Sequence, residues 1–115
     1  MTQADKDLLL NDLCGRLPYG VKVKFGDSKP AILTVIEHDE FGWQIGSEDE
    51  FGGMITFIDN VKPYLFPMSK VAEEIVTTSN KHIAVNVDFF HKNHIDYRGL
   101  IDKGLANDAT GLNIY

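Results

Sequence analysis

The stretch that decides the fold begins Val21-Lys22-Val23-Lys24-Phe25 and continues to Phe66. Apolar and basic side chains alternate in its first five residues, which is typical of a strand with one buried face. Further apolar runs follow at 31–37, 43–46, 54–58 and 61–66, and turn-forming residues separate them. Five short strands with turns between them predict a small antiparallel barrel of the SH3-like type over residues 19–67.

A helix is expected on the N-terminal side of this barrel, over residues 2–16. Leu9 and Leu13 follow helical spacing and would share one buried face, and Thr2 is a suitable N-cap. The acidic residues of the helix are expected to form a solvated face; they are Asp5, Asp7 and Asp12.

Short helices are expected on the C-terminal side. Ser69 is a plausible N-cap for a helix over 70–78, and the alternation in 82–87 indicates an extended segment. Asp88 would cap a helix ending near Asn93, and Asp96 would cap another that ends near Lys103. The last four residues are apolar enough to dock on the body of the protein. The predicted fold is therefore a single α+β domain over 1–115, comprising a helix (1–18), the barrel (19–67) and a helical C-terminal part (68–115).

Composition limits the possible functions. The net charge of −6 comes from residues 37–60, which hold seven acidic side chains and no lysine or arginine. Because affinity for nucleic acid depends on lysine and arginine neutralising phosphates, this distribution disfavours nucleic acid as a partner. No apolar run approaches the ~20 residues of a membrane span, and no membrane association is expected. The single Cys14 and the lack of a signal-peptide pattern predict a cytoplasmic protein.

Most chemically versatile side chains lie in one stretch, residues 88–99. Asp88, His91 and His94 are spaced three apart, and histidine with carboxylate can bind zinc or iron. A metal-dependent hydrolase centred on these three is therefore one hypothesis. Successive steps of three rotate around a helix, however, so Asp88 and His94 would lie about 120° apart, too spread for one ion. We predict no metal, no cofactor and no catalytic residue, and interpret His94 as packing at a helix end.

Two residues of this stretch lack an obvious local structural role, and we predict that they contribute to binding. They are His91 and Arg98. Local roles are available for the other polar residues: Asp88 and Asp96 can cap helices, and Asp88, Asp96 or Asp102 can pair with Arg98. A general acid–base role for His91, Asp96, Tyr97 and Arg98 is an alternative. The sequence has no phosphate loop, nucleophile elbow or dinucleotide fingerprint to accompany it.

The acidic segment offers a second candidate binding surface. Trp43 lies between two acidic groups, Glu37 with Asp39 and Glu40, and Glu48 with Asp49 and Glu50, which we expect on neighbouring loops. Aromatic rings beside carboxylates suit a cationic peptide, so we predict binding roles for Trp43, Glu48, Asp49 and Glu50. Two alternatives remain: the aromatic residues fill the barrel core, or the acidic residues imitate DNA as a decoy.

Three motifs carry a resemblance to a known family. They are Leu17-Pro18-Tyr19-Gly20-Val21-Lys22-Val23, the stretch from Val61 to Ser69 (VKPYLFPMS), and the stretch from His94 to Ala106 (HIDYRGLIDKGLA). With them the chain resembles a family of uncharacterised small proteins of Bacteroides-type gut bacteria and their phages or mobile elements. The resemblance implies a setting and no catalytic residues. It favours a non-enzymatic accessory protein that binds a host protein or a small signalling ligand.

Overall fold

The computed structural model describes residues 2–26, 29–40, 42–49, 52–69 and 87–115. The described helices are α1 (Gln3–Arg16) and α2 (Val87–Lys92). The strands are β1 (Lys22–Phe25), β2 (Ala31–Asp39), β3 (Gly42–Asp49), β4 (Gly52–Phe57), β5 (Val61–Pro67), β6 (Ile95–Asp96) and β7 (Asn107–Asp108). Short 3-10 turns at Leu17–Tyr19 and Ile58–Asn60 connect α1 to β1 and β4 to β5. The α+β class is therefore confirmed.

Helix α1 begins where its sequence predicts. The Thr2 hydroxyl accepts a hydrogen bond from the Asp5 backbone N–H at 3.1 Å, and the Asp5 carboxylate accepts one from the Thr2 N–H at 3.3 Å. This reciprocal capping box satisfies two N–H groups that a helix start otherwise leaves unpaired. The chain leaves the helix through Gly20, whose φ of 70° lies in the left-handed region that glycine tolerates best.

The strands form one mixed sheet in the order β4-β3-β2-β1-β5-β6, with β7 also paired to β5. The first five strands pair antiparallel, whereas β6 and β7 pair parallel to β5. The predicted SH3-like barrel does not close in the described part of the chain. Closure would require β5 to pair with β4. Among the described residues β5 pairs instead with β1, β6 and β7, and β4 stays at the opposite end of the sheet, paired with β3.

The hydrophobic core lies between α1 and one face of this sheet. Leu9 and Leu13 of α1 pack with inward-facing residues of β1, β2, β3 and β5. Apolar residues from the C-terminal part complete the core, and they are Leu100, Leu105 and Ala106. The sequence prediction for Leu9 and Leu13 is confirmed, since neither is accessible to solvent.

The C-terminal part differs from its prediction. Asp96 accepts hydrogen bonds from the N–H groups of Leu100 and Ile101, both at 2.9 Å, but the chain there forms turns rather than the predicted helix. Asp88 lies in the first turn of α2, which already includes Val87, and therefore not at its N-cap. The predicted helix over 70–78, and the extended segment up to residue 86, lie outside the described residues.

The final residues dock on the sheet, as predicted. The Tyr115 hydroxyl accepts a hydrogen bond from the Lys22 N–H at 2.7 Å and donates one to the Tyr64 carbonyl at 2.8 Å. The Lys22 ammonium group also donates to the Ile114 carbonyl. Burial of the hydroxyl raises the pKa of Tyr115, so this phenol remains a neutral donor at physiological pH. Across the described residues, neither helix has the length and apolar character needed to cross a membrane.

Candidate functional site

Two regions gather the side chains that could carry function. The first is the buried polar cluster, in which α1 meets the C-terminal stretch. Its members are Asp12, Arg16, His91, Tyr97 and Arg98. The second is the aromatic groove, an open depression between the N-terminal half of α1 and the end of the sheet at β3 and β4. The first contains the predicted binding residues His91 and Arg98, and the second contains Trp43.

An ion pair from α1 forms the centre of the buried polar cluster. Arg16 donates from Nε to Asp12 Oδ2 at 2.7 Å, one helical turn away, and neither side chain is exposed. Arg16 also donates from Nη2 to the Ile95 carbonyl at 2.5 Å, which ties α1 to β6. Removing two charges from water is costly unless they are paired. The pair and the carbonyl together offset that cost for Asp12 and Arg16.

Arg98 adds a second positive charge beside Asp12 in the cluster. Its Nε lies 3.2 Å from Asp12 Oδ1, without the alignment of a hydrogen bond. Its guanidinium carbon lies 4.9 Å from the centre of the Tyr97 ring, and that of Arg16 lies 5.5 Å from the same centre. The predicted pairing of Arg98 with Asp88, Asp96 or an acidic neighbour is wrong. Its partner is instead Asp12, far away in sequence.

His91 lies against α1 on the far side of Tyr97. Its Nε2 is 3.0 Å from the Tyr97 hydroxyl, and the side chain is buried. A methyl group placed on Gly15 would come within 2.4 Å of His91 Cε1, so α1 accommodates this ring only because residue 15 has no side chain. Burial, followed by the nearby positive charge of Arg16, lowers the pKa of His91. A neutral histidine in this position acts as a packing element.

The position of Asp12 explains why sequence reasoning missed this cluster. The prediction placed Asp12 on a solvated face, and this is wrong because the side chain is fully buried. The available signal was the spacing, since Asp12 and Arg16 continue the three-and-four pattern of Leu9 and Leu13. An oppositely charged pair at i and i+4 within an apolar stripe indicates a buried ion pair.

The structure does not assemble the three hypothesised metal ligands. Among the described residues, no three histidine, cysteine, aspartate or glutamate side chains come together as metal ligands would. Asp88 is exposed, and His91 points towards Gly15 of α1. His94 follows α2 in a left-handed conformation, with φ of 59°.

His94 contributes to docking of the C-terminus. Its ring stacks on Tyr115 with the ring centres 3.8 Å apart and the planes 14° from parallel. Burial, followed by the positive charges of Arg16 and Lys22, lowers the pKa of His94 to about 4. The predicted packing role is confirmed, although Nδ1 finds no hydrogen-bond partner in the described part of the chain.

The aromatic groove has a volume of about 330 Å³. Three elements line it: α1 with Gln3, Lys6, Asp7 and Leu10; β3 with Gly42 and Trp43; and the end of β4 with the following turn, Phe57, Ile58 and Asp59. Trp43 leaves 41% of its surface exposed and Phe57 leaves 46%. The alternative in which Trp43 fills the core is therefore wrong. On one side its ring contacts His38, with the ring centres 4.8 Å apart.

Carboxylates surround these aromatic rings. Asp59 pairs with Lys6 at 3.2 Å while remaining half exposed, and Asp7 accepts a hydrogen bond from Gln3 at 2.9 Å. Glu37 and Glu40 are exposed at the nearby β2–β3 turn. Two carboxylates against one ammonium group leave the lining of the groove with a formal charge of −1. The groove therefore combines apolar walls with a negative potential.

The two acidic groups of the sequence do not meet. Asp39 pairs with Gly42 at one end of β3, whereas Glu48 pairs with Gly53 near the other. At ~3.3 Å per residue the two ends are roughly 20 Å apart. Glu48 and Asp49 belong to β3 rather than to the predicted loop, and Glu50 lies outside the described residues. Of the predicted binding residues whose side chains the structure describes in this segment, Trp43 lines the groove.

A second depression differs from the groove in charge and lining. Lys24 and Lys62 face each other across β1 and β5, beside Asn60 and Asn107. It has a volume of about 260 Å³, and its described lining residues include no aromatic side chain. Like charges directly opposite each other repel. Without an aromatic anchor among its described lining residues, this surface provides less binding energy than the aromatic groove.

Comparison with known proteins adds no further guide to the site. No protein-family model matches the chain, and neither the curated proteins nor the solved structures show significant similarity to it.

Proposed function

We propose that the protein is a non-enzymatic binding protein, and that it captures a basic segment of a partner protein in the aromatic groove. The observation that carries this proposal is that Trp43 and Phe57 stand half exposed beside carboxylates. Burying an aromatic side chain on association contributes more than burying most other residues, and such residues dominate interface energetics.

The charge around the groove favours a cationic occupant. A lysine or arginine over the face of the Trp43 ring would gain a cation–π contact. Asp59 and Asp7 would add charge-assisted hydrogen bonds. The excess of seven acidic residues in 37–60 would speed encounter with a basic surface. The resemblance to proteins of phages and mobile elements adds, as part of the proposal, that the partner belongs to the host cell.

The buried polar cluster is less suited to binding a partner than the aromatic groove is. Asp12 and Arg16 are closed to solvent, and His91 is neutral and packed against Gly15. A substrate would have to displace contacts that hold α1 to the C-terminal part of the chain. This arrangement supports a structural role for the cluster and leaves the groove as the more accessible site.

Trp43 provides a direct test, because it is the only tryptophan of the chain. We would titrate the protein with a short peptide of alternating lysine and valine, and with its glutamate–valine counterpart, while following Trp43 fluorescence. We expect the basic peptide to shift the emission and bind at least about tenfold more tightly than the acidic one. Added salt should weaken the binding, because part of it is electrostatic.

Variants locate the binding. Phe57→Ala should lower the affinity for the basic peptide by about tenfold or more, as expected for an aromatic anchor. The matched control is Tyr19→Ala, which removes a similarly exposed ring outside the groove and should leave affinity unchanged. Asp59→Asn should weaken binding severalfold, and Asp102→Asn serves as its control. Equal affinity for the two peptides, or equal effects of Phe57→Ala and Tyr19→Ala, would refute the proposal.

A further inference from the structure

Strand β4 occupies a special position beside the groove. It is the terminal strand of the sheet, and within the described chain it pairs only with β3. A strand at the edge of a sheet presents backbone N–H and C=O groups on its outer side, where another extended chain can pair with them. The position of β4 therefore offers main-chain hydrogen bonds to an incoming segment.

The sequence of β4 lacks the usual protection of an edge. Proteins discourage pairing at an edge with charged residues, proline or very short strands. Gly52–Phe57 contains no charged residue and no proline, and it spans six residues. Ile55 exposes 63% of its surface, which makes it one of the most open apolar side chains described. An unprotected apolar edge is a suitable surface for strand addition.

The opposite end of the same sheet shows the contrast. There β6 and β7 comprise two residues each, and β5 ends on Pro67. The docked C-terminus covers the adjacent backbone at Lys22 and Tyr64. Among the described residues, one end of the sheet thus has the features that prevent pairing, and the end at β4 does not.

Strand β4 also leads directly into the groove. Phe57 is its last residue and lines the groove, and Asp59 follows two residues later. A chain extended along β4 would therefore reach the aromatic and acidic walls at one of its ends. The negative charge there selects for a basic residue at that end, while Ile55 selects for apolar residues beside the strand.

We propose that the partner binds as an extended segment added to the outer edge of β4, with its apolar residues beside Ile55 and a lysine or arginine in the groove at Phe57. This inference rests on the proposed function of the groove and specifies the conformation of its occupant. The occupant is a segment of another protein that carries positive charge. A second copy of this acidic chain is less suited to the groove, because it would bring further negative charge.

Backbone methylation of the probe peptide tests the conformation. An added strand donates to its neighbour from alternate residues only. We would compare two forms of the lysine–valine peptide. One is N-methylated at its odd-numbered residues and the other at its even-numbered residues. Both keep every side chain and charge. We expect one form to lose at least about tenfold in affinity and the other to bind nearly as well as the unmodified peptide. Equal affinities, or equal losses from both forms, would overturn strand addition.

A pair of substitutions provides an independent readout. Ile55→Lys places a charged residue on β4, and Ile32→Lys places the same charge at an exposed position of β2, inside the sheet. Because both add one positive charge, their long-range effects are similar. Strand addition predicts a severalfold or greater loss with Ile55→Lys and little change with Ile32→Lys. Equal losses would contradict it.

The outcomes separate this inference from the proposed function. Suppose that Phe57→Ala lowers the affinity for the basic peptide, whereas methylation of the peptide and Ile55→Lys leave the affinity unchanged. The groove then binds side chains alone, and only strand addition fails. If the unmodified basic peptide does not bind, the proposed function fails as well. Sedimentation of the protein alone tests the other occupant: a dimer that Ile55→Lys converts to a monomer would assign the edge to a second copy and overturn the inference.

Discussion

The buried polar cluster and the aromatic groove are built from similar residue types, yet their side chains differ in burial and pairing. Each combines aromatic rings with acidic and basic groups. In the cluster, Asp12 and Arg16 are closed to solvent and satisfied mainly by each other. In the groove, Trp43 and Phe57 stand half exposed, and nothing in the described chain covers them further. The difference teaches that burial and pairing, rather than residue type, separate a structural group from a candidate binding site.

This comparison predicts that substitutions in the cluster act on stability, whereas those in the groove act on binding. The largest effect is expected from Asp12→Ala, which leaves the Arg16 charge buried without its carboxylate. We expect the free energy of unfolding to fall by about 3–5 kcal/mol, measured by urea denaturation. Asp88→Ala, which removes an exposed carboxylate, is the control and should have little effect. A loss with Asp12→Ala no larger than that of the control would contradict a structural role for the cluster.

The next largest effect is expected where α1 meets His91. Alanine normally stabilises a helix relative to glycine by up to about 1 kcal/mol. At residue 15 we expect the opposite sign, because the new methyl group would overlap the His91 ring. Gly15→Ala should therefore cost about 1–3 kcal/mol, as overpacking does.

A double-mutant cycle tests the cause of that loss. In a His91→Ala background the overlap is absent, so Gly15→Ala should become neutral or stabilising. If Gly15→Ala costs the same in both backgrounds, the His91 ring is not the source of the loss, and the packing of this boundary must be revised.

A moderate effect is expected from pH, through His94. Its pKa is about 4 in the folded protein and about 6.5 when unperturbed, so the unfolded state binds more protons between these values. The contribution to stability is complete above about pH 6.5 and falls as the pH drops towards 4. Allowing for partial solvent screening, we expect a loss of about 1–2 kcal/mol across this window.

The histidine contribution can be isolated with His94→Asn, since asparagine tolerates the left-handed backbone of this position. Urea denaturation of both proteins across the window should show a smaller decrease for the variant. An identical decrease would mean that other groups, such as carboxylates or His91, account for the acid sensitivity.

The smallest effect on stability is expected in the groove. Trp43→Ala and Phe57→Ala should each change the free energy of unfolding by less than about 1 kcal/mol, because both rings are already half in water. Circular dichroism provides the readout for both. Losses as large as that of Asp12→Ala would show that these rings support the fold, which would weaken their assignment as a binding surface.

Much of the fold could be predicted from local patterns. The Thr2 capping box, the Leu9 and Leu13 stripe and the alternation from Val21 to Phe25 each depend on neighbours in sequence, and each is confirmed. Barrel closure could not be predicted in this way. It depends on which strands pair with β5, and among the described residues the C-terminal strands β6 and β7 pair with it whereas β4 does not.

The candidate site was less accessible to prediction. Trp43 beside acidic residues was visible in the sequence, but Phe57, Asp7 and Asp59 join it only through the packing of α1 against β3 and β4. The predicted partners Glu48 and Asp49 belong to the other end of β3. Linear proximity was misleading here because a strand separates its two ends by the full length of its extended backbone.

The sequence by itself thus determined α1, the five longer strands, the buried positions Leu9 and Leu13, and the concentration of negative charge in 37–60, because spacing and composition are local properties. Only the tertiary structure decided that Asp12 is buried as the partner of both Arg16 and Arg98, that Gly15 leaves room for the His91 ring, and that Trp43 shares a groove with Phe57. Those outcomes depend on contacts between distant segments. Such contacts determine which polar groups are removed from water and which remain available to a partner.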